Sequence, residues 1–337
     1  MSRNAILITA VVSLAVTAVL GFWMIPWLKR LKYGQVINKI GPTWHQSKEG
    51  TPTIGGLMFI IGTLAGLSVG YISMILDTPD FLVAAYLPEN VRLFSGLGAA
   101  LGFAAIGFLD DYLKVIHARN LGLTAKYKII LQILVAAIYL YIMSAFGTDS
   151  TVVYIPFWRE FDLGIWYYAI SMVFIVGIVN SVNLTDGLDG LAATITFFVS
   201  LSFIVVATLY GFLGTGLLAT AVAASCIGFL LWNFFPAKVF MGDTGSMFFG
   251  GAVVAMAFGV SLPALLILAG VVYLAEAGSV MIQVTYYKLT HGKRIFKMTP
   301  IHHHFEMSGY SEVKIVVIFS IVTLIGAGFA VLAALMM

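Results

Sequence analysis

The chain has 337 residues, 61% of them hydrophobic and only 10% charged, and its mean hydropathy is +1.01. This excludes a water-soluble globular protein, in which roughly a quarter of the residues carry charge, and it leaves no stretch for a sizeable soluble domain. The net charge of +3 is ordinary for the loops of a membrane protein, and no nucleic-acid partner is expected from it.

Apolar runs long enough to cross a bilayer as a helix, which takes roughly 20 residues, recur along the whole chain. They predict an all-α polytopic membrane protein, a single integral membrane domain over 1–337, with about ten spans: 5–27, 54–76, 93–109, 129–146, 165–183, 191–210, 216–235, 246–261, 263–286 and 315–336. The first run is too long for the core of a signal peptide and is expected to be retained. Cys226, the single cysteine, lies in an apolar run and forms no internal disulfide. An even number of spans puts both termini on one side. One set of loops holds 15 of the 18 basic residues, among them Lys29, Lys32, Lys39, Lys48, Lys114, Arg119, Lys126, Lys128, Lys293 and Lys314, and the other set holds only Arg3, Arg92 and Arg159. By the positive-inside rule the first set is cytoplasmic and both termini are extracytoplasmic. The outer loops carry Asp77, Asp80, Glu89, Asp149, Glu160 and Asp162 among Pro, Tyr and Phe without pattern.

In chain order, the inner loops carry four constellations. The third span ends in Asp110-Asp111, two carboxylates at the negative end of a helix macrodipole, with Lys114 a turn away and Lys126 and Lys128 closing the loop. Carboxylates interleaved with lysines are what a Mg²⁺ and phosphate site needs. The fifth span runs into Asn183-Leu184-Thr185-Asp186-Gly187-Leu188-Asp189-Gly190, whose Asn183, Asp186 and Asp189 would share one face if helical. A capped helix break accounts for these residue types, but not for two acids in a short loop without Lys or Arg. Phe240-Met241-Gly242-Asp243-Thr244-Gly245-Ser246 precedes a helix, whose N-terminus attracts anions. There Asp243 either caps the helix or holds a cation, and Phe240 either packs at the membrane interface, the usual case for such a residue, or stacks on a base. The last inner loop holds Pro300 followed by His302, His303 and His304, imidazoles suited to a diphosphate. Glu276 is an ionisable residue inside the ninth span, hence a functional candidate, and Gly270 and Gly278 are placed to bend that helix around it.

Together with Lys48-Glu49-Gly50-Thr51-Pro52-Thr53-Ile54-Gly55-Gly56, these segments resemble the bacterial phospho-MurNAc-pentapeptide translocases, within the wider polyprenyl-phosphate N-acetylhexosamine-1-phosphate transferase superfamily. The triple histidine is the part that looks specific to that branch. The resemblance implies a Mg²⁺-dependent enzyme that moves phospho-MurNAc-pentapeptide from UDP-MurNAc-pentapeptide to undecaprenyl phosphate, giving lipid I and UMP for peptidoglycan. It implies that Asp243 binds the metal, that Asp110, Asp111 and Asp243 form the reaction centre, and that Asn183, Asp186, Gly187, Leu188 and Phe240 hold uridine, with Asp189 in the same substrate loop. Lys48, Thr53, Lys114, Lys126, Asn233, Gln283, His302, His303 and His304 would contact phosphates, sugar or lipid headgroup. It further implies a homodimer in the bacterial inner membrane with the active site on its cytoplasmic face, a groove for the prenyl chain beside a bent ninth helix, and inhibition by nucleoside antibiotics.

Two rivals stand beside this expectation. A sibling that transfers GlcNAc-1-phosphate to the same lipid would use similar carboxylates, and the histidine run argues against it. An anionic-nucleotide transporter would also need many spans and basic loops, yet its ionisable residues belong near the midplane. Here nearly all sit at one interface, Glu276 excepted.

Overall fold

The computed structural model describes residues 3–31, 48, 50–77, 79, 86–116, 122–147 and 150–337. Lys32, Lys39, Glu49, Asp80, Arg119 and Asp149 of the sequence reading lie outside the described residues. The helices are α1 Arg3–Arg30, α2 Gly56–Asp77, α3 Leu87–Ile116, α4 Ala125–Ile142, which runs on as a π-helical turn Met143–Gly147, α5 Trp166–Thr185, α6 Leu191–Tyr210, α7 Leu213–Asn233, α8 Gly242–Gly259, α9 Leu265–Ala269, α10 Val271–Leu289, α11 Ile301–Glu306 and α12 Glu312–Leu335. Eight of them, α1 to α7 and α12, are long and apolar enough to cross a membrane, and the protein is a polytopic all-α membrane protein.

The eighth and ninth expected spans fold differently from the rest. Every residue of α8 from Thr244 to Gly259 is buried inside the protein, as expected of a helix that is apolar all round. Close crossings hold it there: a Cβ on Gly251 would meet Ala100 of α3, and one on Gly250 would meet Val179 of α5. Phe59 of α2 stacks on Phe249 at 4.1 Å and meets Phe229 of α7 edge-on at 4.9 Å, tying these helices around α8. The ninth span breaks at Gly270, between α9 and α10, whereas Gly278 lies inside α10, which runs uninterrupted from Val271 to Leu289. Between α1 and α2, Gly62, Gly66 and Gly70 face Thr17, Ser13 and Thr9, the small-residue packing that lets membrane helices approach closely.

The connection between α4 and α5 is less featureless than its sequence. Strands β1 Val152–Tyr154 and β2 Glu160–Asp162 pair antiparallel, with Val153 opposite Phe161. Three residues per strand is too short an alternation to read. At the other end of the bundle the chain from Pro52 to Gly56 bonds to the segment before α8: Phe240 donates to Pro52 at 2.8 Å, and Gly55 and Gly56 donate to Phe240 and Met241 at 2.9 and 3.0 Å. The start of α2 is thereby fixed against the start of α8.

Candidate active site

Gly107 lets α3 run hard against the first turn of α8, because a Cβ there would collide with the Asp243 carbonyl. The last turns of α3 therefore meet the N-terminus of α8, and Asp110, Asp111 and Asp243 come together with carboxylate oxygens within 4.8 Å of one another. Asp111 accepts from the amides of Asp243 and Thr244 at 3.1 and 2.9 Å and from the Thr244 hydroxyl at 2.7 Å. It caps α8 from a neighbouring helix, and because α3 runs on to Ile116 the two acids stand more than a turn before its end, not at the negative pole that the apolar run to Leu109 suggested. Asp243, one of the two roles open for it, is thus not the cap. Gly242, at φ 69°, turns the chain into α8 beside Asp111 and the Thr53 hydroxyl.

Two ammonium groups balance the three acids. Lys114 Nζ lies 2.6 Å from Asp110 and 3.0 Å from Asp243, and Lys128 Nζ lies 2.8 Å from Asp243. Asp110 also accepts the Leu123 amide at 2.8 Å. Burial by itself raises the Asp243 carboxyl, but the hydrogen bond with Asp110 and the charges of Lys128 and Lys114 outweigh it and hold Asp243 well below the usual carboxylate range. Lys126 is exposed. The two lysines stand two residues apart on α4 and so point to opposite sides. The available signal was Gln132, a buried amide one turn beyond Lys128 that bonds Asn180 of α5 at 3.3 Å and marks the inward face.

Asn183, on the last turn of α5, donates to Asp243 at 2.9 Å and to Ser246 at 2.8 Å. The helix ends at Thr185, so Asn183, Asp186 and Asp189 do not share the helical face that their spacing offered. Asp186 caps the end and is half-buried; desolvation first, then the like charges of Asp243, Asp111 and Asp189, pushes its carboxyl well above the ordinary value. Asp189 is not an unpaired acid: one oxygen takes Lys48 Nζ at 2.7 Å and the other the Ala237 amide at 2.9 Å. Lys48 also meets Glu312, the first residue of α12, at 2.7 Å. Asn233 accepts from Gly190 at 3.2 Å and donates to Val239 at 2.9 Å, bracing the loop from behind. Leu188 is buried and Phe240 is half-buried.

The histidine loop reaches the same place through Gly187, where a Cβ would collide with the His302 imidazole. His302 is buried and its Nδ1 lies 3.0 Å from Glu276 of α10. His303, its ring 4.1 Å from that of His302, bonds Glu306 at 2.6 Å. His304 faces the other way, accepting from the Lys297 amide at 3.1 Å and packing on Phe296 and Phe305. Gln283 accepts from the Ile295 and Phe296 amides at 3.0 Å each and donates to Phe296 at 3.1 Å, which fastens the loop before α11. The geometry thus joins the carboxylate cluster, the 183–190 loop, Lys48 and His302 at one end of the bundle. Glu312 and Glu306 were not among the residues singled out from the sequence, and Lys128, named there beside the carboxylates, was given no substrate contact of its own. Glu312 opens a helix behind a serine cap, which reads as ordinary first-turn acid.

Residues 93–261 match the glycosyl transferase family 4 model. Among curated proteins, the chain is 44% identical to a phospho-N-acetylmuramoyl-pentapeptide-transferase of Heliobacterium modesticaldum over 96% of both chains. It is 45% identical to one of Clostridium botulinum over 92% of this chain and 91% of that one. A third, of Desulforamulus reducens, is 43% identical over 97% of both.

Proposed function

Because the chain belongs to the phospho-N-acetylmuramoyl-pentapeptide-transferase family, we propose that it transfers phospho-MurNAc-pentapeptide from UDP-MurNAc-pentapeptide to undecaprenyl phosphate, yielding lipid I and UMP, at the cytoplasmic face of the bacterial membrane. The observation that carries this reading is the link from Asp243 through Asn183 to the 183–190 loop and on to His302 over Gly187. It makes one site of a carboxylate and lysine cluster able to manage a diphosphate and a loop able to hold the rest of the nucleotide.

The donor set fits Mg²⁺: three carboxylates with mutually close oxygens and no thiol among them, for a hard cation that takes few carboxylates and fills its remaining positions with phosphate and water. Asp243 and Asp110 would hold it, since the Oδ2 of each faces lysine ammoniums that a cation can displace, while both oxygens of Asp111 take backbone amides of α8. Bound there, Mg²⁺ supplies countercharge to the diphosphate. Lys114 and Lys128 act as point charges for phosphate oxygens, and Asn183 keeps the Asp243 carboxylate from turning. An oxygen of the lipid phosphate attacks the sugar-linked phosphorus, a new P–O bond forms, and the bond to the UMP phosphate oxygen breaks. A phosphate monoester has its second pKa near about 6, so the acceptor is mostly dianionic at neutral pH and direct attack needs no base. Asp110 orients the acceptor.

The test offers purified protein either UDP-MurNAc-pentapeptide or UDP-GlcNAc with polyprenyl phosphate and Mg²⁺, and follows UMP. Release with the first and not the second is expected. Faster release with UDP-GlcNAc rejects the substrate assignment, and nucleotide uptake into vesicles free of lipid acceptor would favour a transporter.

A further inference from the structure

Glu276 is fully buried in α10, one and a half turns past the break at Gly270. A carboxyl at that depth is costly and calls for a partner. Its Oε2 lies 3.0 Å from His302 Nδ1 and 3.4 Å from the His302 amide. His302 is itself 1% exposed, and its ring occupies the space that a Cβ on Gly187 would need. At the outer ends of this pair, Glu276 Oε1 and His302 Nε2 find no hydrogen-bond partner among the described residues. Buried polar atoms are ordinarily paired. The Nε2 end abuts the loop that leads to Asn183 and Asp243.

The placement of hydrogens in the pair decides what Nε2 can offer. If the carboxylate is charged, the state without net charge has an imidazolium, with hydrogen on both ring nitrogens. If the carboxyl is protonated, it donates to Nδ1 and the ring's hydrogen is on Nε2. Nε2 is bare only in a pair with a net negative charge, costly in a dry interior, or in a neutral pair whose carboxyl hydrogen sits on Oε1, where a buried hydroxyl has no acceptor among the described residues. The two neutral arrangements that strand no hydroxyl make Nε2 a donor.

We propose that Glu276 is a positioning residue for the transfer reaction, holding His302 so that Nε2–H is presented across Gly187 to an acceptor oxygen of the uridine nucleotide. The proposal rests on the transferase reading. Phosphate and uracil carbonyl oxygens share the required chemistry, and UMP and uridine as competing ligands separate them. Uridine inhibition that weakens in His302→Ala as much as UMP inhibition assigns the contact to the nucleoside, and a weakening confined to UMP assigns it to phosphate. If neither inhibitor weakens in that variant, the contact does not exist.

The role of Glu276 is tested by steady-state UMP release in Glu276→Leu, Glu276→Gln, His302→Ala and the double variant. In Glu276→Leu, kcat/KM for the nucleotide falls by about tenfold to a hundredfold, the size of loss found when the partner that orients a metal-bound histidine is removed, with the KM for polyprenyl phosphate held within about twofold. In Glu276→Gln the amide donates to Nδ1 and leaves the hydrogen on Nε2, so activity stays within about threefold of wild type. In a His302→Ala background, Glu276→Leu costs less than about threefold more. Losses that multiply across the cycle, a Gln variant as damaged as the Leu variant, or a change confined to the prenyl phosphate overturn the proposal. If the Leu variant does not fold, the isosteric Gln variant decides alone: retained activity supports the proposal and a loss beyond about tenfold overturns it. Wild-type protein that releases no UMP refutes the transferase reading instead, so the two failures are distinct.

Discussion

Lys128 offers the sharpest test of the electrostatics at the carboxylate cluster. Its ammonium lies 2.8 Å from Asp243 Oδ2, and Lys114 approaches the same oxygen at 3.0 Å. A hydrogen bond between charged groups contributes about 1.5–3 kcal/mol when desolvated. The side chains of Lys128 and Asp243 are 16% and 19% exposed, so solvent screening lowers this to about 1–2 kcal/mol, a factor of roughly five to thirty. Lys128→Ala removes one of two cations that compete with a metal for Asp243 and one point charge available to the diphosphate. The half-saturating Mg²⁺ concentration should therefore fall by about that factor, while kcat falls about tenfold or more. UMP release titrated with Mg²⁺ at saturating substrates reads both. A half-saturation point that stays put or rises would refute the competition, since it would mean that Lys128 neither opposes nor screens the cation.

Other perturbations separate scaffold from chemistry. Asp111→Ala strands two amides at the head of α8 and should destabilise the protein by about 2–3 kcal/mol; an unchanged thermal midpoint in detergent would remove its capping role. Gly187→Ala sets a methyl against the buried His302 ring, so nucleotide KM should rise by about tenfold and the protein should lose about 1–3 kcal/mol of stability; an unaffected KM would mean that the ring and the loop are not in register. Gln283→Leu deletes three hydrogen bonds to the segment that carries the exposed Lys293, Arg294 and Lys297. Trypsin should cut there about ten times faster, as expected when local opening becomes easier by about 1–2 kcal/mol, and an equal rate would deny Gln283 its bracing role.

The class of the protein and the approximate course of its helices were legible because hydropathy is a local property: each run such as 191–210 carries its own signal. The same holds for Asp110, Asp111, Asn183, Asp243 and the histidines, whose residue types stand out against apolar neighbours at the ends of those runs. The break at Gly270 was half-legible, because a glycine pair marks where a helix is free to bend and not which member bends it. The short hairpin at 152–162 left too little alternation to find.

What each polar group does depended on which helix ends meet, and no local pattern encodes that. Asp110 and Asp111 are adjacent in sequence, yet one faces Lys114 and the other caps α8, because a helix turns about 100° between neighbours. Lys128 rather than Lys126 reaches Asp243 for the same reason. Asp189 looked like a free acid until Lys48, 141 residues away, was found against it. Glu276 met His302 only once α10 and α11 had packed. The sequence alone determined the solvent each segment prefers and the chemical groups available, both set by single residues and their nearest neighbours. Only the tertiary structure decided the pairing of those groups, because the rotation and depth of each helix are set by close approaches such as Gly107 on α8 and Gly187 under His302.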